Sequence, residues 1–284
     1  MTRIIALLGH PVAHSISPRV QQAALDALGL EVRYEAWDTP PADLPIAVER
    51  LRSAGLLGAN VTVPHKETVL HLVDRLDPLA ERVGAVNAIA NRDGVLHATN
   101  TDVIGILRAL DSVETRGVSV VVLGAGGAAR AVVLAMSQAG AARLTIANRT
   151  EDRARALAGL VAGPMRSDVC PLNPGSAAFR DAMREAQVVV QSTSLGMLHG
   201  PDEGASPVPS ELFAPGQVAF DLVYNPERTP FLAAAERAGA RTIGGLAMLV
   251  HQGAESFRFW TSLEPPVGVM FEAARAALRE MHRG

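Results

Sequence analysis

Apolar residues alternate along the chain between short continuous runs and longer stretches in which they recur every three or four positions. The short runs are typical of buried strands, and the longer stretches are typical of helices packed on a sheet. The predicted strands cover residues 3–8, 32–37, 57–63, 118–123, 143–147, 188–191, 218–222 and 241–243. Strands that alternate with helices favour mainly parallel sheets covered on both faces, so we predict an α/β fold.

Turn and capping residues mark the predicted helices. The clearest helix runs over 18–28, with Ser17 as its N-cap, Pro18 in its first turn and Gly29 at its end. The other predicted helices cover residues 42–53, 68–73, 78–83, 103–110 and 131–139 and two segments from Ala247 onward, separated by Pro265 and Pro266. Residues 85–90 and 95–98 predict a hairpin.

A glycine-rich turn lies between the predicted strand 118–123 and the predicted helix 131–139. Its residues are Gly124, Ala125, Gly126, Gly127 and Ala128. A strand, a glycine turn and a helix in that order present free backbone N–H groups and the positive end of a helix dipole to a diphosphate. The turn is weak evidence alone, but it predicts a dinucleotide site.

The end of the next predicted strand distinguishes the two nicotinamide cofactors. An NAD-binding chain usually carries an acid there to hold the ribose 2′-hydroxyl. This chain instead has Asn148, Arg149 and Thr150, with Arg153 shortly after. Two guanidinium groups and a hydroxyl suit a 2′-phosphate, so we predict NADP; the alternative is that both arginines belong to a solvated helix start.

Four polar clusters stand out in the first part of the chain. They lie at residues 14–17, 60–66, 84–87 and 100–102. Three of them follow predicted strands, where open α/β sheets bind ligands. Their asparagines, hydroxyls, lysine and aspartate suit a small ligand with several hydroxyls and a carboxylate.

Lys66 is the candidate acid and base of this region, with Asp102 as its partner. Reduction of a ketone requires a hydride at carbon and a proton at oxygen, and a positioned lysine can supply the proton. A nicotinamide would supply the hydride. The alternative for Lys66 is a surface lysine after a proline turn.

Composition limits the classes of partner. A length of 284 residues predicts two domains, and a formal net charge of −3 with a pI of about 6.2 gives no electrostatic case for nucleic acid or an anionic membrane. The single cysteine, Cys170, which we expect in a loop, excludes an internal disulfide and a thiolate metal cluster. No segment has the pattern of a signal peptide or membrane span. We expect a cytoplasmic protein with a small-molecule substrate and no metal.

Seven motifs together resemble the shikimate/quinate dehydrogenase family, and within it the NADP-dependent shikimate dehydrogenases. They run almost from end to end of the chain, in the family's order and spacing. The motifs are GHPVAHSISP at 9–18, NVTVPHK at 60–66, GAVN at 84–87, NTD at 100–102, GAGGAAR at 124–130, NRT at 148–150 and GGLAMLVHQ at 244–252. Several are specific to the family, although the glycine loop is not.

This resemblance implies the reversible, NADP-dependent reduction of 3-dehydroshikimate to shikimate, in the pathway to chorismate and the aromatic amino acids. Lys66 would donate and accept the proton, paired with Asp102. The implied substrate contacts are Ser15 and Ser17 to the carboxylate, Thr62, Asn87, Asp102 and Gln252 to the hydroxyls, and Tyr224 nearby. Leu222 and Gly245 would lie near the nicotinamide. Asn60 would shape the loop that carries Thr62 and Lys66.

The resemblance also implies two α/β domains. We expect a substrate domain at 1–103, to which C-terminal helices at 247–284 return, and a Rossmann-type NADP-binding domain at 104–246. The chain departs from the family pattern at Ala88, Thr99, Val103 and Gln191, which border the substrate and nicotinamide sites. None of these departures removes a catalytic group.

Two other functions remain open at this point. A quinate or dual quinate/shikimate dehydrogenase would use the same carboxylate and diol contacts. A non-catalytic NADP-binding sensor would keep the fold without the reaction, but the presence of both Lys66 and Asp102 argues against it. We expect a monomer or a homodimer.

Overall fold

The computed structural model describes residues 3–161, 163–198, 200 and 202–281. The chain forms two compact units: unit 1 comprises Met1–Gly105 and Val250–Gly284, and unit 2 comprises Ile106–Leu249. The domain limits given above from the sequence stay a prediction. No helix among the described residues has the length and apolar character needed to cross a membrane.

The described residues form twelve strands and ten α-helices. The strands are β1 (Arg3–Gly9), β2 (Val32–Asp38), β3 (Leu56–Val61), β4 (Arg75–Leu76), β5 (Ala88–Arg92), β6 (Val95–Thr99), β7 (Ser119–Leu123), β8 (Arg143–Asn148), β9 (Arg166–Pro171), β10 (Val188–Gln191), β11 (Val218–Asp221) and β12 (Arg241–Ile243). The helices are α1 (Ser17–Ala27), α2 (Leu44–Arg50), α3 (Pro78–Val83), α4 (Asp102–Ala109), α5 (Gly127–Gln138), α6 (Glu151–Ala158), α7 (Ala177–Glu185), α8 (Pro230–Arg237), α9 (Leu246–Thr261) and α10 (Val267–Met281). This content confirms the predicted α/β class.

Unit 1 contains a mixed sheet with the strand order β2-β1-β3-β5-β6-β4. Strands β1, β2 and β3 run parallel, whereas β5 is antiparallel to both β3 and β6. The β5–β6 hairpin turns at Asp93 and Gly94, which both have positive φ, as a tight hairpin turn requires. Helix α10 packs on α1 in this unit, and Arg19 forms an ion pair with Glu280.

Unit 2 contains a parallel sheet with the order β9-β8-β7-β10-β11-β12. In chain order this is 3-2-1-4-5-6, the doubly wound arrangement that binds dinucleotides at the carboxyl end of its first strand. Strands β7 and β10 are apolar on both faces because both faces of the sheet are covered, and Val121, Val122 and Val189 are buried.

Several elements differ from the sequence prediction. Helix α2 is shorter than predicted, because a 3₁₀ turn at Pro41–Asp43 precedes it and it ends at Arg50. The region around Cys170 was predicted as a loop, and this is wrong, since Cys170 is buried in β9. Strand β9 lies at the sheet edge and most of its side chains are exposed, so it lacks the apolar run of a central strand.

Candidate active site

The four polar clusters meet along one edge of the sheet in unit 1. Strands β1, β3 and β6 end at this edge and the antiparallel β5 begins there. Backbone hydrogen bonds join the connecting segments, with Thr62 N–H donating to Leu8 (2.9 Å) and Asn87 N–H donating to Thr99 (3.2 Å). The sheet therefore gathers segments that are distant in sequence.

Lys66 and Asp102 form an ion pair at this edge. The Lys66 Nζ lies 2.6 Å from Asp102 Oδ2, and the Asp102 side chain is 2% exposed while that of Lys66 is 18% exposed. Asn87 Nδ2 donates to the second carboxylate oxygen, Oδ1, at 2.8 Å. Both Asp102 oxygens accept hydrogen bonds, and the Lys66 side chain is the more exposed of the pair.

Asn87 is the centre of this network. Its Oδ1 accepts from the Thr101 backbone N–H at 2.7 Å, which fixes the orientation of the amide. Its Nδ2 lies within hydrogen-bond distance of Asp102 Oδ1, Thr101 Oγ1 (2.9 Å) and Gln252 Oε1 (3.1 Å). The structure thus brings together Lys66, Asn87, Asp102 and Gln252.

The loop after β1 carries the two predicted carboxylate-binding serines. Helix α1 begins at Ser17, and its N-cap position is Ile16, which forms no side-chain cap. The Ser15 Oγ accepts the Ser17 backbone N–H at 3.2 Å. The prediction of Ser17 as N-cap is therefore wrong; the hydroxyl that satisfies a helix-start N–H belongs to Ser15, because the helix begins one residue earlier than its proline indicates.

Thr62 follows β3 beside the end of β1. A Cβ on Gly9 would lie 2.4 Å from Thr62 Cγ2, so glycine at this position allows the close approach of the two segments. Ser15, Ser17 and Thr62 are all partly exposed. They therefore present hydroxyl groups at the same sheet edge as Lys66.

In unit 2, the glycine turn joins β7 to α5. Gly124 has a φ of +108°, and a Cβ there would lie 3.0 Å from Ser192 Oγ and from Thr193 Cγ2. A Cβ on Gly126 would meet nothing within 4 Å, and Gly126 is an N-cap without a side-chain cap. The turn leaves open space over the start of α5, which fits a diphosphate held by backbone N–H groups.

The predicted 2′-phosphate residues lie between β8 and α6. Asn148 Nδ2 donates to Thr150 O at 2.8 Å and shapes the turn. Arg149 and Arg153 are exposed, and neither forms an ion pair within the described part of the chain. The acidic Glu151 in the same helix is paired with Arg155 at 2.7 Å. The surface beside Arg149 therefore offers uncompensated positive charge.

Leu222 and Gly245 are adjacent in unit 2. A Cβ on Gly245 would lie 2.5 Å from the Leu222 carbonyl oxygen, so only glycine fits there. The loop after β11 also carries the partly buried Tyr224. This arrangement places the two residues that the resemblance assigns to the nicotinamide next to each other.

Asp221 is a buried carboxyl group that the sequence analysis missed. It accepts from the Val223 backbone N–H (2.9 Å) and from Thr229 Oγ1 (2.6 Å), and burial raises its pKa to about 7. These bonds tie both ends of the loop that carries Leu222 and Tyr224. An aspartate at a strand end followed by a threonine before a helix was the available signal.

Family models match three parts of the chain. The shikimate dehydrogenase substrate binding domain matches residues 7–89, shikimate / quinate 5-dehydrogenase matches 108–198, and the shikimate 5′-dehydrogenase C-terminal domain matches 245–275. A shikimate dehydrogenase (NADP(+)) of Moorella thermoacetica is 47% identical over 279 residues, covering 98% of this chain and 94% of the relative. The corresponding protein of Symbiobacterium thermophilum is 48% identical over 282 residues, covering 97% and 95%. The chain belongs to the shikimate dehydrogenase family.

Solved structures agree with this membership. Shikimate 5-dehydrogenase of Thermus thermophilus, in complex with NADP(H) and shikimate, has a TM-score of 0.86 and 44% identity, covering 97% of this chain and all of that chain. Quinate dehydrogenase of Corynebacterium glutamicum, in complex with NAD, has a TM-score of 0.87 and 29% identity, covering 97% and 99%. The fold is thus shared by family members with different substrates and cofactors.

Two departures from the shikimate dehydrogenase pattern have structural partners in this chain. Thr99 Oγ1 donates to Asp77, the N-cap of α3, whose other oxygen accepts from Ala80 N–H at 2.7 Å. Gln191 accepts from the Thr193 hydroxyl (2.9 Å) and donates to Leu195 O (3.1 Å). Both side chains are buried and satisfied, so these departures stabilise the loops that they enter.

The two other departures, Ala88 and Val103, are buried apolar residues.

Among the described residues, no group of three or more His, Cys, Asp or Glu side chains is arranged to hold a metal ion.

Proposed function

We propose that this chain catalyses the reversible NADP-dependent reduction of 3-dehydroshikimate to shikimate, a step toward chorismate and the aromatic amino acids. The observation that carries this proposal is the buried Asp102 carboxylate holding the more exposed Lys66 ammonium at 2.6 Å. Family membership and the NADP(+)-dependent relatives support the choice of reaction and cofactor.

In this proposal, unit 1 binds the substrate. Ser15 and Ser17 donate to its carboxylate, because two hydroxyls beside the start of α1 suit a negative charge. Its hydroxyls contact Thr62, Asn87, Asp102 and Gln252, and Tyr224 is the remaining member of the predicted set. The clustering of Asn87, Asp102 and Gln252 within hydrogen-bond distance supports this assignment.

The residues of unit 2 fit NADP. The segment Gly124–Ala128 would hold the diphosphate, and Asn148, Arg149, Thr150 and Arg153 would hold the 2′-phosphate, since charge-assisted bonds from arginine favour phosphate. Leu222 and Gly245 would line the nicotinamide. When bound there, the nicotinamide would supply or accept the hydride at the substrate carbon.

Lys66 is the general acid and base of the proposed reaction. It donates to the ketone oxygen as that oxygen becomes a hydroxyl, and it takes the proton back in the oxidation direction. Its positive charge also stabilises the negative charge that develops on the oxygen. Asp102 keeps the ammonium aimed, and Asn87 keeps Asp102 in place.

Quinate is the second candidate substrate. The structural similarity to the quinate dehydrogenase of Corynebacterium glutamicum, with a TM-score of 0.87, favours testing it. Both reactions would use the Ser15 and Ser17 contacts. We also propose a cytoplasmic location, supported by the single cysteine, and either a monomer or a homodimer.

The activity test is spectrophotometric. Purified protein mixed with NADP and shikimate should produce NADPH at a rate that depends on both reactants. Lys66→Ala protein serves as the matched control. A protein that binds NADP tightly but forms no NADPH with shikimate or quinate would be the non-catalytic sensor, and the proposal would be wrong.

A further inference from the structure

A continuous chain of buried hydrogen bonds in unit 1 leads from β2 to the candidate site. The Tyr34 hydroxyl donates to Asn60 Oδ1 at 2.8 Å, and Asn60 Nδ2 donates to Ser256 Oγ at 2.9 Å. Ser256 Oγ lies 3.1 Å from Thr101 Oγ1, which lies 2.9 Å from Asn87 Nδ2. All five residues are buried. Among the described residues, Tyr34, Asn60 and Ser256 form no hydrogen bond with Lys66 or Asp102.

Tyr34 is the first hydrogen-bond donor in this series of buried residues. A tyrosine hydroxyl has one proton, and here it is given to Asn60 Oδ1, so the amide nitrogen of Asn60 must face the opposite side. That nitrogen donates to the Asn87 carbonyl oxygen (2.9 Å) and to Ser256. A reversed Asn60 amide would place an oxygen against the Asn87 carbonyl, which cannot donate.

Counting donors and acceptors in the same way determines where the Ser256 and Thr101 hydroxyl protons point. Ser256 accepts from Asn60, and its own proton goes to the Gln252 carbonyl oxygen at 3.1 Å. Thr101 therefore donates to Ser256, because its other acceptors, Asn87 Oδ1 and Gln252 Oε1, lie farther away at 3.3 and 3.4 Å. Thr101 Oγ1 is then an acceptor for Asn87 Nδ2, which holds that amide with its nitrogen toward Asp102.

Tyr34 is suited to set this direction. Its ring packs against Trp260 at a centroid distance of 6.1 Å. Burial raises the pKa of its hydroxyl, so the group keeps its proton and remains a donor throughout the working pH range.

We propose that Tyr34 and Ser256 are positioning residues for the reaction: by fixing the direction of hydrogen bonding, they act together with the Thr101 backbone N–H to hold the Asn87 amide that contacts substrate and holds Asp102. This inference rests on the function proposed above. Neither residue touches the reacting groups, so both act through Asn60, Thr101 and Asn87.

A double-mutant cycle tests the proposal. We expect Tyr34→Phe and Ser256→Ala each to raise the KM for shikimate by about tenfold, the upper range for one net hydrogen bond, with the Kd for NADP unchanged. Because both residues act through the same series of hydrogen bonds, the double variant should raise KM no more than the more affected single variant. If Ser256→Ala does not fold, Thr101→Val replaces it with the same expected non-additivity.

Thr261→Val is the matched control. Thr261 lies in helix α9, as Ser256 does. Its hydroxyl donates to Phe257 O at 2.8 Å and takes no part in the series of hydrogen bonds from Tyr34 to Asn87. It should lose stability without a change in KM. Calorimetry on every variant separates unfolding from misorientation.

Three results would overturn the inference: an unchanged KM in Tyr34→Phe, a multiplicative rise in the double variant, or an equal rise in Thr261→Val. Each of these requires a wild-type protein that oxidises shikimate in a Lys66-dependent manner. A wild type without that activity would instead refute the proposed function.

Discussion

The Lys66 ammonium donates to Asp102 Oδ2 at 2.6 Å, and the two residues lie 36 positions apart in sequence. Lys66 follows β3 and Asp102 begins α4 just after β6, so the sheet order creates the pair. The carboxylate is almost fully buried and also bonded to Asn87. In the proposed function, Lys66 is the proton donor and Asp102 is the group that orients it.

Removal of the ammonium should therefore slow the chemical step. We expect Lys66→Ala to lower kcat by about 10²- to 10⁴-fold, the usual contribution of a general acid or base. The Kd for NADP, measured by fluorescence titration, should change little because the proposed cofactor contacts do not include Lys66. Near-normal turnover in this variant would exclude Lys66 from the mechanism.

Cofactor choice should depend on Arg149. A charge-assisted hydrogen bond contributes about 1.5–3 kcal/mol, so Arg149→Ala should weaken NADP binding by roughly ten- to a hundredfold. NAD lacks the 2′-phosphate and should bind almost as before. Calorimetric titration with both cofactors provides the comparison.

Arg155→Ala is the control for that experiment. Arg155 lies in the same helix α6, but it is paired with Glu151. Its loss should leave both affinities unchanged. An Arg149→Ala variant that binds both cofactors equally poorly would show that the arginine is structural.

The two serines should separate binding from stability. Ser15 Oγ accepts the Ser17 N–H, so Ser15→Ala should lower the free energy of unfolding by about 1 kcal/mol and also raise the KM for shikimate. Ser17→Ala should raise KM with nearly unchanged stability, because the Ser17 side chain forms no cap. Calorimetry and steady-state kinetics measure both quantities. An equal loss of stability in the two variants would contradict this division.

Asp221 should make stability depend on pH. Its pKa is raised from 3.8 to about 7 by burial, so between these values the folded state holds a proton that the unfolded state has lost. The free energy of unfolding should therefore fall as pH rises from about 4 to 7, by up to about 1.4 kcal/mol per unit, and then level off.

Asp221→Asn isolates this effect from other carboxylates. The difference in unfolding free energy between wild type and variant, measured by urea denaturation across that pH range, should shift steadily in favour of the variant. A difference that stays constant with pH would show that Asp221 does not hold the proton.

Much of the fold follows from local sequence signals. The apolar runs of β7 and β10 and the glycine turn at Gly124 specify a dinucleotide-binding sheet because those signals act within a few residues. Strand β9 and helix α7 escaped prediction because each buries few apolar side chains. The strand is a largely exposed edge, and the helix buries only Phe179 and Met183 deeply on its apolar side.

The candidate site is predictable in its residues but not in its connections. The motifs identify Lys66, Asn87 and Asp102, whereas the proposed participation of Tyr34 and Ser256 depends on contacts between residues 26 and 196 positions apart in sequence. The capping error at Ser17 has a similar origin. Proline at the next position marks the first turn of a helix, but it does not decide between its first and second residues.

The most direct test of the whole account is the specificity constant kcat/KM for each pairing of shikimate or quinate with NADP or NAD. The account predicts the highest value for shikimate with NADP and a marked loss when either partner is exchanged. Equal or higher values for quinate, or for NAD, would contradict the assignment of this chain as an NADP-dependent shikimate dehydrogenase.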